Sequence, residues 1–137
     1  MRSSRSILLI EDDEVDIKNI ERVFKEAEIS NNLAICNNGE EALAYLEKNK
    51  VVDRPCLIMM DLNMPRMNGK EFLLELKIND HFKMIPVIVF STSEEERDVE
   101  DCFRSGVAGY FIKPLDYTEF LKMIQAINVY WRYSEMP

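Results

Sequence analysis

Five short apolar runs, each followed by a stretch with helical spacing, constrain this chain more than any other feature. The runs cover residues 6–10, 33–36, 56–60, 86–90 and 109–112. Between them, apolar residues recur at steps of three and four: Ile17, Ile20, Phe24 and Ala27, then Ala42, Leu43 and Leu46, then Phe72, Leu73 and Leu76. Val99, Cys102 and Phe103 continue the series, and Phe120, Ile124, Ile127 and Trp131 close it. Such spacing gives each helix one apolar face. A run that is apolar at every position, such as "CLIMM" at 56–60, suits a strand covered on both sides. Strands alternating with helices predict an α/β fold of (βα)5 type, with a parallel sheet and right-handed crossovers.

Turn and cap signals punctuate the pattern. Asn37-Asn38-Gly39 and Asn68-Gly69 read as turns, the second with no necessary chemistry. Ser93 to Glu96 reads as a capping box, with Ser93 as N-cap and Glu96 reaching back. Asp116-Tyr117-Thr118-Glu119 starts the last helix. A single domain over 1–137 is expected, with its core at about 6–128 and a helix extension and tail at about 129–137. Strand order 2-1-3-4-5, the flavodoxin-like arrangement, fits this plan, and its site lies beyond the carboxyl ends of the strands.

Charge and composition narrow the function. Acids outnumber bases 25 to 17, a net charge of −8, which argues against nonspecific binding to nucleic acid. No apolar run is long enough to span a bilayer, and "MRSSRS" followed by "ILLI" is no secretory signal. Cys36, Cys56 and Cys102 are odd in number and lack metal-type spacing, so they read as reduced thiols of a cytoplasmic protein. His81 is the only histidine and has no partner motif; it is assigned no role.

The predicted strand ends carry the chemistry. The first ends in Glu11-Asp12-Asp13, the third in Asp61, the fourth in Ser91-Thr92-Ser93, and the fifth in Lys113-Pro114. If these strands are neighbours, several carboxylates, a hydroxyl and an ammonium share one rim. Crowded carboxylates repel unless a cation intervenes. Mg²⁺ takes oxygen ligands and retains waters, so two carboxylates, a backbone carbonyl and waters would suit it. Ser91 and Lys113 could bind phosphoryl oxygens, with Asp61 as the attacking group. Each residue also has a plainer reading: Asp61 as a solvated loop acid, Ser91 as a strand end, Lys113 as a lysine before a turn, Tyr110 as packing on a strand.

The motifs "ILLIEDD", "LIMMDLNMPRMNG", "PVIVFSTS" and "GYFIKP", in this order, resemble a response-regulator receiver domain of two-component signalling. The likeness covers nearly the whole chain. It implies that Glu11 and Asp12 hold Mg²⁺ (or Mn²⁺) together with Asp61 and the backbone carbonyl of Asn63. It implies that Asp61 is the phosphoacceptor, that Lys113 and Ser91 serve the transfer, and that Ser91 and Tyr110 form the switch. Asn63 and Ser93 would tune the lifetime of the phosphoryl group. A cis Lys113-Pro114 bond is usual in the family. Glu11 departs from the commoner Asp by one methylene, which leaves open which of Glu11, Asp12 and Asp13 touch the metal.

The resemblance implies a phosphoacceptor switch rather than an enzyme with an external substrate. It would take its phosphoryl group from a sensor histidine kinase or a histidine phosphotransfer protein and change its helix 4, strand 5, helix 5 surface. The length leaves no room for an output domain, and the tail "INVYWRYSEMP" resembles response regulators paired with bacterial phytochromes. Tyr110 and Trp131 are expected at a homodimer interface. The alternatives are a Mg²⁺-dependent phosphohydrolase and a scaffold that is never phosphorylated. Asp61-Leu62-Asn63 lacks the second acid of the Asp-x-Asp phosphohydrolases, and no inserted cap domain is evident.

Overall fold

In the computed structural model, which describes residues 5–49, 51–135 and 137, five parallel strands form one sheet in the order β2-β1-β3-β4-β5. The polar opening at 1–4, Lys50 and Met136 lie outside the described residues. The strands are β1 (Ile7–Ile10), β2 (Leu33–Cys36), β3 (Leu57–Met60), β4 (Val87–Ser91) and β5 (Gly109–Ile112). The helices are α1 (Glu14–Glu26), α2 (Gly39–Lys48), α3 (Gly69–Lys77), α4 (Glu96–Arg104) and α5 (Tyr117–Tyr133). This is the flavodoxin-like α/β fold.

Position in the sheet explains the composition of the strands. Every residue of β1, β3 and β4 is buried, because helices cover both faces and neighbours flank both edges. The edge strands β2 and β5 are only partly buried. Alternation along the strands then sorts side chains into two layers. Leu8, Ile10, Ile58, Met60, Val87 and Val89 pack with Leu46 of α2, Phe72, Leu73 and Leu76 of α3, and Cys102 of α4. Ile7, Leu9, Leu57, Met59, Ile88 and Phe90 pack with Ile20, Val23 and Phe24 of α1 and Ile124, Ile127 and Trp131 of α5. Each fully buried Leu or Ile side chain contributes about 1.5–3 kcal/mol relative to exposure.

The helix starts differ in how they are fixed. Asp13 caps α1, its side chain accepting from the Val15 and Asp16 amides, and Asp116 caps α5 through the Thr118 amide. Asn68 and Glu71 form a reciprocal capping box on α3. The capping box expected at Ser93 is absent. The α4 N-cap is Glu95, two residues further on and with no side-chain bond; the Ser93 hydroxyl donates to Asp98 and accepts from the Glu95 amide at 3.3 Å.

Two further expectations need correction. The Lys113-Pro114 bond is trans, as are all peptide bonds among the described residues. Trans is the lower-energy isomer before proline, and the bond from Lys113 N–H to the Ser91 carbonyl at 2.8 Å already seats the lysine at the rim. Trp131 is 5% exposed and packs into the α1–α5 layer, so it anchors this chain's own core rather than offering an interface. The exposed aromatics of that helix end are Tyr130 and Tyr133.

Candidate functional site

The sheet order reverses between β1 and β3, and the acids stand just beyond their carboxyl ends. Register places Ile10 beside Met60, so Glu11 and Asp61 leave the sheet side by side. The Asp61 amide donates to the Ile10 carbonyl at 3.1 Å, extending the ladder by one bond and fixing the spacing of the two acids. Lys113 leaves β5 across β4, tied by its amide to Ser91.

Lys113 is the centre of the constellation. Its ammonium donates to Asp16 Oδ2 at 2.8 Å, Glu11 Oε2 at 3.0 Å and Asp61 Oδ2 at 3.2 Å. Three N–H bonds and three carboxylates satisfy the group completely. The other oxygen of Asp61 accepts from the Leu62 amide at 2.7 Å. The other oxygen of Glu11 accepts from the amides of Asp12 and Asp13, each at 3.2 Å. Asp12 is exposed, as is Asn63.

The electrostatics follow from burial. Glu11 is 1% exposed, and loss of solvation raises its proton affinity above that of an ordinary glutamate. The nearby Lys113 opposes that shift, while the Asp61 charge adds to it. For Lys113, burial disfavours the charge, but the bond to Asp16 and the charges of Asp61 and Glu11 outweigh it. The lysine is therefore held protonated well above its usual range.

The donor set is made of hard oxygens, and the acids outnumber the single ammonium. That chemistry fits a hard divalent cation. As the side chains stand, Glu11 and Asp61 each give an oxygen to Lys113. Among the described residues, no three acids, thiols or imidazoles form a ready chelate. A cation bound here therefore competes with the ammonium for these two carboxylates.

The β4–α4 side of the rim is a relay of polar contacts. Ser91 is fully buried, and its hydroxyl accepts from the Ser93 amide at 3.1 Å. Tyr110 donates its hydroxyl to the Ser93 carbonyl at 2.9 Å, and its ring packs on the α2–α3–α4 layer. The Ser93 hydroxyl contacts Asp98, which also pairs with Lys70; Lys70 reaches Asp101 at 3.1 Å as well. Glu11, Asp61, Ser91 and Lys113 come together as expected at the strand ends, with Ser93 and Tyr110 linked to them through the Ser91 hydroxyl. Trp131 does not.

Three contributors are given no role by the motif reading. Asp16 makes the shortest bond to Lys113, and its only sequence signal is a further acid in the first turn after the acidic run. Lys70 ties α3 to α4. Gly69 sits where a Cβ would lie 2.7 Å from the Asp61 carbonyl oxygen and 2.9 Å from Leu62 Cα. The start of α3 therefore rests directly on the backbone that carries Asp61. The spacing of Asn68 and Glu71, a capping-box pattern, could have flagged this helix start.

Comparison with known proteins gives a consistent set. The profile of the response regulator receiver domain matches residues 7–125. Response regulator Rcp1 of Synechocystis sp. is 37% identical over 128 residues, covering 91% of this chain and 87% of that protein. The crystal structure of the phosphorylated cyanobacterial phytochrome response regulator RcpA superposes with a TM-score of 0.89 at 30% identity, over 98% of this chain and 99% of that one. The Mn²⁺-bound form of Rcp1 superposes with a TM-score of 0.85 at 35% identity, over 97% and 99%. No helix among the described residues is long and apolar enough to cross a membrane.

Proposed function

The chain belongs to the response regulator receiver domain family of two-component signalling, and from that premise we propose that Asp61 accepts a phosphoryl group from a phosphohistidine. The donor is a sensor histidine kinase or a histidine phosphotransfer protein in the cytoplasm. A carboxylate oxygen of Asp61 attacks phosphorus and an O–P bond forms. The P–N bond breaks, and its electron pair returns to the imidazole nitrogen. Water later attacks the acyl phosphate, releasing inorganic phosphate and restoring the carboxylate. The observation that carries this reading is the placement of Asp61 at the end of β3, between buried Glu11 and Lys113 at 3.2 Å.

Glu11, Asp12, Asp61 and the backbone carbonyl of Asn63 are the residues that would hold Mg²⁺ or Mn²⁺. When bound, the cation offsets the charge that Asp61 and the phosphoryl oxygens bring together. Lys113 and the Ser91 hydroxyl meet the phosphoryl oxygens. Toward a phosphoryl oxygen the Ser91 hydroxyl acts as donor; the same oxygen accepts from the Ser93 amide, so a movement of Ser91 reaches Tyr110 through Ser93. The α4–β5–α5 surface then shifts in population toward a form that favours another partner or a second copy. Asn63 and Ser93 flank the water's approach and set the lifetime. The likeness to RcpA, a cyanobacterial phytochrome response regulator, supports a phytochrome-type kinase as the donor. Tyr130 and Tyr133, rather than Trp131, are the aromatics available to a homodimer.

Intact mass spectrometry after incubation with acetyl phosphate and Mg²⁺ tests the assignment. The wild type gains one phosphoryl group and Asp61→Asn, of nearly equal volume, gains none. Equal labelling of the two chains would reject Asp61 as the acceptor.

A further inference from the structure

The three carboxylates on Lys113 are not equivalent. Glu11 and Asp61 stand at strand ends and are the acids that a divalent cation would claim. Asp16 stands elsewhere, in the first turn of α1. Its amide donates to the capping Asp13 Oδ1 at 3.2 Å, and the helix is anchored below by Ile20, Val23 and Phe24. The Asp16 side chain is 35% exposed, against 15% for Lys113, so burial does not force the pairing from the acid's side. Yet Asp16 makes the shortest of the three contacts, at 2.8 Å.

A conflict arises once Glu11 and Asp61 turn to a cation. Both of their bonds to the ammonium weaken, and Lys113 then faces a like charge of twice its own magnitude. An unpaired lysine in that position gains by swinging into solvent, away from the phosphoryl group it must meet. Asp16 is the one partner outside that exchange.

We propose that Asp16 is a positioning residue for phosphoryl transfer: it keeps Lys113 at the rim after Glu11 and Asp61 have turned to the cation. The role rests on the phosphoacceptor reading given above. It also assigns a use to an acid that the strand-end motifs do not include.

Lysine acylation read residue by residue by mass spectrometry tests the retention directly, and it does not depend on turnover. In the wild type, Lys113 stays protected from an amine-acylating reagent with and without Mg²⁺, while exposed Lys122 reacts in both. In Asp16→Asn, Lys113 stays protected without Mg²⁺, because Glu11 and Asp61 still hold it, and reacts severalfold faster at saturating Mg²⁺. Asp16→Glu restores protection. Phosphorylation of Asp16→Asn by acetyl phosphate slows by about tenfold at saturating Mg²⁺, with the half-saturating Mg²⁺ concentration unchanged within about twofold.

Protection of Lys113 in Asp16→Asn with Mg²⁺ overturns the proposal. So does equal exposure with and without Mg²⁺, which would mark a structural role. Asp16→Ser, equally free of charge, replaces Asn if that chain fails to fold. A wild type that Mg²⁺ does not stabilise and acetyl phosphate does not label rejects the underlying reading. A wild type that passes both tests, with Lys113 still protected in the variants, rejects the role of Asp16 alone.

Discussion

At the β1–α1 corner of the rim, Glu11 is 1% exposed, two backbone amides seat its carboxylate, and Asp13 caps a helix with three buried residues. At the β4–α4 corner, the helix starts on Glu95 without a side-chain cap and buries only Cys102. What secures α4 is a short set of exchangeable polar links: Ser93 to Asp98, and Lys70 to Asp98 and Asp101. One corner is fixed by burial and caps, the other by bonds whose partners can be traded. A site that must hold a charge still and also report it needs both kinds. The elements that move in a switch come from the less stable part of a fold.

Core truncation should break the symmetry between the two corners most strongly. Phe24→Ala in α1 leaves a cavity under a fully packed layer and should cost about 3–5 kcal/mol. Phe103→Ala in α4 removes a side chain that is 51% exposed and should cost less than about 0.5 kcal/mol. Urea unfolding of the two chains checks the pair. Similar losses would mean that α4 is anchored as firmly as α1.

Gly69→Ala comes next in size. The added methyl meets Asp61 and Leu62 backbone, which cannot rotate away as a side-chain end could. Overpacking of this kind costs about 1–3 kcal/mol. Displacement of the Asp61 backbone should also slow its phosphorylation. Thermal unfolding and the labelling rate together test this, and an unchanged rate would separate the α3 start from the site.

Much of this layout was legible before any coordinates. Parallel strands buried on both faces produce continuous apolar runs, so β1, β3 and β4 were found within a residue at each end. Ser91 marked the limit. A polar residue reads as a strand end, yet Ser91 is paired with Ile112 inside the ladder and fully buried. Strand order brought Glu11, Asp61, Ser91 and Lys113 to one rim because strand-end residues need only topology to meet. Asp16, Lys70 and Asp98 needed more: their contacts depend on how α1 and α4 are set against the sheet, which spacing does not encode. Ser93 misled for a related reason. Its local pattern suited a cap, but the helix starts two residues later, with Glu95 as N-cap, and the Ser93 hydroxyl reaches Asp98 and the Glu95 amide instead. Trp131 looked like an interface anchor because aromatic residues crowd the helix end, although its spacing from Ile124 and Ile127 already put it on the apolar face of α5.

Lys70→Ala should have a smaller thermodynamic effect. Its side chain is about one-third exposed, so loss of the pairs to Asp98 and Asp101 should cost no more than about 1 kcal/mol. Its consequence should be local. Cys102 is the one buried residue of α4, and burial pushes its thiol up to about 11, as it does for Cys36 in β2. Both thiols should resist alkylation near pH 8 in the native chain, when thiolate is scarce. Opening of α4 should nevertheless expose Cys102 sooner than Cys36, and Lys70→Ala should widen that gap. Equal rates at both thiols in wild type and variant would contradict the weaker anchoring of α4.

The most direct measurement is amide hydrogen exchange of the wild type with and without acetyl phosphate, in Mg²⁺, with Asp61→Asn as control. Exchange should change across residues 92–104 when Asp61 is phosphorylated, as movement of Ser91 reaches the Ser93 amide. It should stay the same across α1 at 14–26, and the Asp61→Asn chain should show neither change. Altered exchange in α1 with none at 92–104, in a chain that mass spectrometry shows to be phosphorylated, would contradict the division between a fixed corner and an adjustable one.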